Sequence, residues 1–313
     1  MIGYLLRRIG MSVLLLFVVT LLTYVMVFSG GRNIAARLAG LEATDEMIEA
    51  RLVQLGLDQP VLQSYFQWAI GALQGDLGTS WFTSEPVTSA ILSRLPVTLS
   101  LVIVTIVLSA ILAVALGMAA AVRRGWADRV VQVLAIVGYA VPGFIIAMLL
   151  VTLFAINWRI FPATGYVPIE QGLGGWAWSL VLPVTALVVG TVAATAQQVR
   201  GALIDVLRRD YVRTLRSRGI GEREILWKHV LRSAAPPGLT ILSLQIIGLL
   251  SGSVIVEQIF NISGMGYLAV QSTARGDIPI IQGVVTVTIL IVVIVNFAID
   301  LAVAWLNPKA RLS

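Results

Sequence analysis

The sequence predicts an all-α polytopic membrane protein with six transmembrane helices and both termini on the cytoplasmic side. Three observations carry this. Hydrophobic residues make up 58% of the 313 positions and charged residues 12%, roughly half the charged share of a soluble domain. A surface so poor in charge cannot face water on all sides, and a mean hydropathy of +0.91 says the same. Six stretches free of Asp, Glu, Lys and Arg run from 22 to 29 residues, each long enough for the ~20 apolar residues that cross a bilayer. Finally, 16 of the 22 Lys and Arg residues fall on one side of the resulting topology, which the positive-inside rule makes the cytoplasm.

The first span, Ile9–Gly31, follows Arg7-Arg8 and is longer than a signal-peptide core, so it reads as a retained helix. A long external connection, about 29–94, carries four Arg and seven Asp or Glu. Within it Thr44 is a plausible N-cap ahead of Asp45 and Glu46, with Gly56 just past the helix end. Ile48, Leu52 and Leu55 form one apolar face. Leu62, Phe66, Ala69, Ile70 and Leu73 form a second stripe, ended by Gly75. A cap packed on the spans and a docking surface or lid for an external partner are both compatible with this pattern. The remaining spans are Leu95–Val122, Val130–Trp158, a charge-free run from Gln171 up to Arg200, Ser233–Val256 and Ile278–Ile299. Gln171–Trp178 reads as an external approach, and Pro236-Pro237 as the start of the fifth helix. The organisation expected is an N-terminal helix (1–31), an external region (32–94) and a five-helix core (95–313) containing a cytoplasmic loop at 200–237.

That loop has nine basic and four acidic residues. Ala202–Arg218 has helical composition, Gly219-Ile220-Gly221 breaks it, and Glu222–Leu231 can form a second helix with acids first and Lys228, His229 and Arg232 last, as the helix dipole favours. A solvated positive-inside loop or attraction to anionic lipid would explain the charge. Neither explains the helix punctuation or the apolar Ile225, Leu226 and Trp227, which favour docking of a cytoplasmic partner.

With zero cysteines and a single histidine, thiolate metal sites, cysteine nucleophiles and a Ser-His dyad are excluded or unsupported. No metal or bound cofactor is expected in the chain, nor nucleic acid as a partner. The two lysines, Lys228 and Lys309, follow no G-x-x-x-x-G pattern, so no phosphate-binding loop of that kind is present. Within the spans, ionisable residues are few. Asp300 is placed near the inner surface. Glu257, at the outer end of the fifth span, is either a packing residue or part of an external gate. Gln245, Ser251 and Ser253 make the fifth span the best candidate for a pore lining, although a hydrogen bond from Gln245 to backbone within the bundle is the plainer alternative. Gly248-x-x-x-Gly252 predicts close helix contact there.

Asp210-Tyr211-Val212-Arg213-Thr214-Leu215-Arg216-Ser217-Arg218-Gly219, followed by His229-Val230-Leu231-Arg232-Ser233-Ala234, resembles the cytoplasmic EAA-type loop of ABC importer permeases of the dipeptide/oligopeptide type. Leu55–Pro60, Gly75–Ser80, Arg94–Leu99, Pro142-Gly143-Phe144, Val256–Phe260 with Gly264-Met265-Gly266, and Asp300 followed by Asn307-Pro308 are similar to that family in the same order. Two positions depart from it: Leu215 stands where a small residue is usual, implying tighter packing against the partner, and Asn307 where Asp is common. The resemblance implies a type I importer permease fold in a bacterial plasma membrane. It implies a second permease, two cytoplasmic ATPases that bind ATP and magnesium, and an external binding protein as partners. Arg213, Thr214, Leu215, Gly219, Glu222, Arg223 and His229 would belong to the loop that couples to an ATPase. Cargo would be di- or oligopeptides, with nickel chelates or glutathione as alternatives. An ion-coupled carrier is the rival from another class; it predicts intramembrane charges or an inverted repeat, and neither is evident.

Overall fold

The computed structural model describes residues 2–40, 42–122, 125, 129, 132, 133, 136, 138 and 140–306. Arg123, Arg124, Asn307, Pro308, Lys309 and Arg311, the side chain of Asp300 and much of the first half of the third expected span lie outside the described residues. Among the described residues the chain is helical, with one isolated bridge between Thr79 and Pro86. Among the described residues, five helical stretches are long and apolar enough to cross a membrane: Arg7–Phe28, Val87–Val122, Leu173–Leu207, Thr240–Ile259 and Ile278–Ile299. A shorter apolar helix covers Gly143–Asn157. Two compact units emerge, Met1–Pro96 with Ser263–Val293, and Val97–Ile262 with Ile294–Ser313.

The first unit begins with α1 (Ile2–Phe28), followed by α2 (Gly31–Ala39), α3 (Asp45–Gln54), α4 (Val61–Leu73) and α5 (Val87–Leu92). Thr44 caps α3 as expected, its Oγ1 accepting from the Met47 N–H at 3.4 Å. Tyr24, Phe28, Ile34, Leu57, Tyr65 and Ile278 form the core here, with Leu52, Leu55 and Trp68 packed on it. Of the expected stripe on α4 Ala69 packs on this core, but the large residues do not. Leu62, Phe66, Ile70 and Leu73 are exposed, and the helix turns Val61, Ser64, Tyr65 and Trp68 inward instead. The reason is the aromatic pair. Tyr65 and Trp68 offer more buriable area than Leu or Ile, and the Tyr65 hydroxyl finds Thr20 Oγ1 at 2.9 Å.

The sequence reading did not anticipate α12 (Met265–Arg275), which packs Met265, Leu268 and Ala269 against Val87, Ala90 and Ile91. It ends at Gly276, whose φ of +82° suits glycine; the Gly276 and Asp277 amides both donate to the Ser272 carbonyl, at 2.8 and 2.9 Å. The last helix, α13 (Ile278–Leu306), starts directly after Asp277.

In the second unit α6 (Leu95–Val122) lies so close to α8 (Leu173–Leu207) that a Cβ on Gly117 would sit 2.9 Å from Val199 Cγ1 and 3.1 Å from the Ala196 carbonyl oxygen. Between them, α7 (Gly143–Leu150) follows Pro142 and widens into a π-helix over Val151–Asn157. The Gly- and Trp-rich approach is already helical: α8 contains Trp176 and Trp178, because three glycines at 172–175 are tolerated at a helix start where tertiary packing supplies the stability. Beyond it come α9 (Asp210–Ser217) and α10 (Glu222–Glu224). A π-helix over Ile225–Val230 then leads into α11 (Leu231–Ile259). The fifth helix therefore does not start at Pro236-Pro237; both prolines are internal to α11. Their missing N–H groups cancel only the bonds to the Arg232 and Ser233 carbonyls, and that loss falls just after the loosened π turn.

Candidate functional site

The segment joining α8 to α11 is built as a clasp. Val212 of α9 is fully buried with Ile225 and Val230 against Val199, Leu203 and Val206 of α8 and Ala121 of α6, and Leu215 and Ile220 pack beside them. Leu215, expected to press on a partner, thus directs its bulk into its own chain. Gly219 turns the backbone with φ +78°. Its N–H donates to the Arg216 carbonyl at 2.9 Å, and the Ile220 N–H donates to the Leu215 carbonyl at 3.2 Å. This is a complete Schellman motif, with Leu215 and Ile220 as its apolar contact.

Across the turn Arg216 grips Glu222, Nε to Oε1 at 2.5 Å and Nη2 to Oε2 at 3.2 Å. Hydrogen bonding from Arg216 holds the Glu222 carboxyl below its ordinary value of 4.5 and raises the Arg216 guanidinium. A lowered carboxyl contributes stability above its unfolded pKa and loses it as pH falls through the folded value, so the grip is intact at neutral pH and weakens only in acid. Both groups are solvated, so the energy involved is small; the pair's value is positional.

Arg213 and Thr214 are exposed on α9. Arg213 lies 3.7 Å from Asp210, and Thr214 Oγ1 donates to the Asp210 carbonyl at 3.1 Å. Arg223, Trp227 and Lys228, with Gly221 and Glu224, line an open groove. His229 is half-buried. So the turn and the apolar side are held by the chain itself, while a basic face with one exposed tryptophan is left to the solvent.

The polar residues of the fifth span do not share one face. Ser251 is exposed and donates to the Ile247 carbonyl at 3.3 Å; Ser253 is fully buried and donates to Leu250 at 3.0 Å. Two residues apart on a helix is roughly 200° of rotation, so Ser253 lines no solvent-accessible path here. Gln245 is half-buried and its amide has no hydrogen-bond partner among the described residues. The alternative of a backbone bond is not what the structure contains. The close contact expected at Gly248 is absent within the chain: a Cβ there would meet nothing within 4 Å, and one at Gly252 only Leu187 at 3.7 Å. Glu257 is 0% exposed and accepts from Thr98 Oγ1 at 2.7 Å.

Residues 113–312 match the family described as binding-protein-dependent transport system inner membrane component, and residues 1–102 match its N-terminal counterpart. The chain belongs to this family. The inner membrane component is 34% identical to a probable peptide ABC transporter permease of Sinorhizobium fredii, over 98% of this chain and 99% of the relative. It is 34% identical to a putative peptide transport system permease of Brucella abortus and 35% identical to the glutathione transport system permease GsiC of Escherichia coli K12, each over 99% of both chains. Among solved structures it resembles the inward-facing MetNI methionine ABC transporter with a TM-score of 0.59 at 19% identity, over 72% of this chain and all of that one. Its fold is thus that of a type I ABC importer permease, a multi-pass membrane protein.

Reading the sequence of this component missed three polar residues that the tertiary structure brings into play. Thr98 donates to Glu257. Asp277 is buried and accepts from Ser80 Oγ and from the Trp81 N–H at 3.2 Å. Gln282, also buried, donates Nε2 to the Thr20 carbonyl at 2.9 Å. The only signal available was the presence of isolated polar residues at span ends, which does not identify their partners. Glu257→Leu would remove the carboxyl that accepts from the buried Thr98 hydroxyl, and losing a buried hydrogen bond of this kind costs about 1–3 kcal/mol. We expect a lower melting temperature in detergent for Glu257→Leu, and substantial recovery in Glu257→Gln, which keeps an acceptor oxygen. Equal losses in both would mean that the Thr98 bond does not set the stability of this site.

Proposed function

We propose that this chain is the pore-forming subunit of an ATP-driven importer that moves di- or oligopeptides across the bacterial plasma membrane by alternating access. It would work with a second permease, two cytoplasmic ATPases that bind ATP and magnesium, and an external binding protein. The observation that carries this reading is the rod that runs from Glu222 through the π turn and on to Ile259. The cytoplasmic clasp is the near end of the fifth span. A push on the basic face of α9 and on the groove at Trp227 is therefore delivered to the helix that holds Gln245 and Ser251. Basic residues concentrated at this end favour both termini in the cytoplasm.

The exposed stripe of α11, with Thr240, Leu244, Gly248, Ser251 and Ile255, mixes small, polar and apolar groups. Such a face suits contact with a second permease and a path tolerant of varied side chains, leaving recognition to the binding protein. Glu257 and Thr98 would then anchor the outer end of the path. A second reading, glutathione as cargo, is favoured by the 35% identity to GsiC over nearly the whole chain; nickel chelates remain the alternative from sequence resemblance alone.

A mild-detergent pull-down from native membrane, read by mass spectrometry, tests the assembly. A second permease and P-loop ATPases are expected, and a chain that comes down alone would reopen the ion-coupled carrier. Uptake of labelled dipeptide, competed with glutathione, separates the cargo readings. Gln245→Leu should change uptake kinetics while assembly is unaffected, because the substitution removes an amide that has no partner to lose. Unchanged kinetics would make Gln245 a packing residue.

A further inference from the structure

We propose that α4 lies within the outer leaflet of the bilayer, with Leu62, Phe66, Ile70 and Leu73 against lipid acyl chains. The external region is then partly a membrane element and not wholly a cap above the membrane.

Depth is the first argument. The part of α1 long and apolar enough to cross a membrane is Arg7–Phe28. The Tyr65 hydroxyl is 2.9 Å from Thr20 Oγ1 and 3.4 Å from the Phe17 carbonyl. Thr20 precedes Phe28 by eight residues, about 12 Å along the helix. The Tyr65 ring also meets the Phe17 ring edge-on at 5.9 Å. So α4 runs beside the membrane-spanning part of α1, at a level where backbone and side chains meet hydrocarbon.

The second argument is the surface of α4 itself. Residues 59–75 contain no charged side chain, although Asp58 and Asp76 flank them. Its circumference divides into three sectors. Val61, Ser64, Tyr65 and Trp68 face the protein; Gln63 and Gln67 form a polar edge; the four apolar residues are exposed, from 51% at Phe66 to 89% at Leu73. An amphipathic helix that contacts headgroups and acyl chains needs this combination of a polar edge and an apolar face. The third argument is continuity. Leu14 and Phe17, one turn apart on α1 and both exposed, lead onto Tyr65 and Phe66 without a charged residue between. The lipid that covers α1 therefore extends onto α4. Which leaflet is involved rests on the orientation proposed above; the depth does not.

Because the chain has no cysteine, single-cysteine variants give an unambiguous readout. Phe66→Cys, Ile70→Cys and Leu73→Cys, each in the full transporter with cysteine-free partners, would be spin-labelled and reconstituted in vesicles of phosphatidylethanolamine and phosphatidylglycerol. Power saturation with oxygen and with nickel ethylenediaminediacetate then reads the surroundings. Expected is strong oxygen collision together with a loss of nickel-complex collision, relative to Glu46→Cys on α3. Nickel collision as strong as at position 46 would place α4 in water and overturn the proposal. Low collision with both probes would mean that protein, such as the second permease, covers this face, and would also overturn it. A membrane-impermeant maleimide should reach Glu46→Cys from outside. Failure there, with the saturation result unchanged, would overturn the orientation and the choice of leaflet while leaving the depth standing.

Discussion

Gly117→Leu is expected to leave little properly folded transporter. At this position α6 and α8 approach so closely that even a Cβ meets Val199 at 2.9 Å and the backbone of Ala196 and Arg200 at 3.1 Å. Val199 could change rotamer, but backbone cannot move without displacing α8. Overpacking of this kind costs about 1–3 kcal/mol, and a whole isobutyl group against backbone belongs at the upper end. The better helix propensity of leucine returns only about 0.8 kcal/mol, so the clash wins. Size-exclusion profiles and melting temperatures of the detergent-solubilised complex check this. Gly117→Ala should show a much smaller loss, since only the Val199 methyl and two backbone contacts are strained. Near-normal stability of the leucine variant would mean the two helices are not in contact at this point.

Gly219→Val is expected to produce the opposite phenotype: a chain that inserts and assembles but no longer couples. A side chain at φ +78° costs roughly 1–2 kcal/mol, yet nothing lies within 4 Å of a Cβ there, so no packing is lost. The strain is relieved by opening the Schellman turn, which separates α9 from the helix that begins at Glu222. Glu222→Lys should act on the same turn from the other side, setting a cation against Arg216 in place of its acceptor. Both variants should retain expression and ATPase association while transport per ATP hydrolysed falls several-fold. Gly219→Asn is the control, since asparagine tolerates the left-handed region better than other side chains. Wild-type transport in Gly219→Val and Glu222→Lys together would remove the clasp from the mechanism.

What could be read in the sequence follows the range of the physics involved. Charge-free stretches locate spans because hydrocarbon excludes charge over some 20 residues at a time, a purely local test. Thr44 before Asp45 and Glu46, and Gly219 after a run of helix formers, are also local. Capping and left-handed geometry involve only neighbouring residues, and both appear as expected. Pro236-Pro237 misled for an instructive reason: proline marks the start of an isolated helix, but here Ile225 and Val230 are anchored in the core around Val212, and that packing extends the helix upstream of both prolines. The stripe on α4 misled because periodicity finds an apolar face without saying which of two faces is buried. Tyr65 and Trp68 decide that through their contacts with Thr20 and Tyr24, residues 40 or more positions away.

The candidate pore-lining residues and the candidate gate residue Glu257 divide in the same way. That Gln245, Ser251, Ser253 and Glu257 are polar within a span is a fact of composition. Their distribution, with Ser253 buried, Ser251 exposed, Gln245 without a partner and Glu257 held by Thr98, depends on how α11 is rotated against α6 and α8. By itself the sequence determined the membrane class, the helical class, the position of the clasp along the chain and the family it resembles, because hydropathy, charge asymmetry and turn chemistry act over a few residues. Only the tertiary structure decided which faces are buried, that the clasp and the fifth span form one rod, and which polar groups pair. Those outcomes arise from contacts between residues far apart in the chain, where side-chain volume and hydrogen-bond geometry, not local pattern, set the free energy.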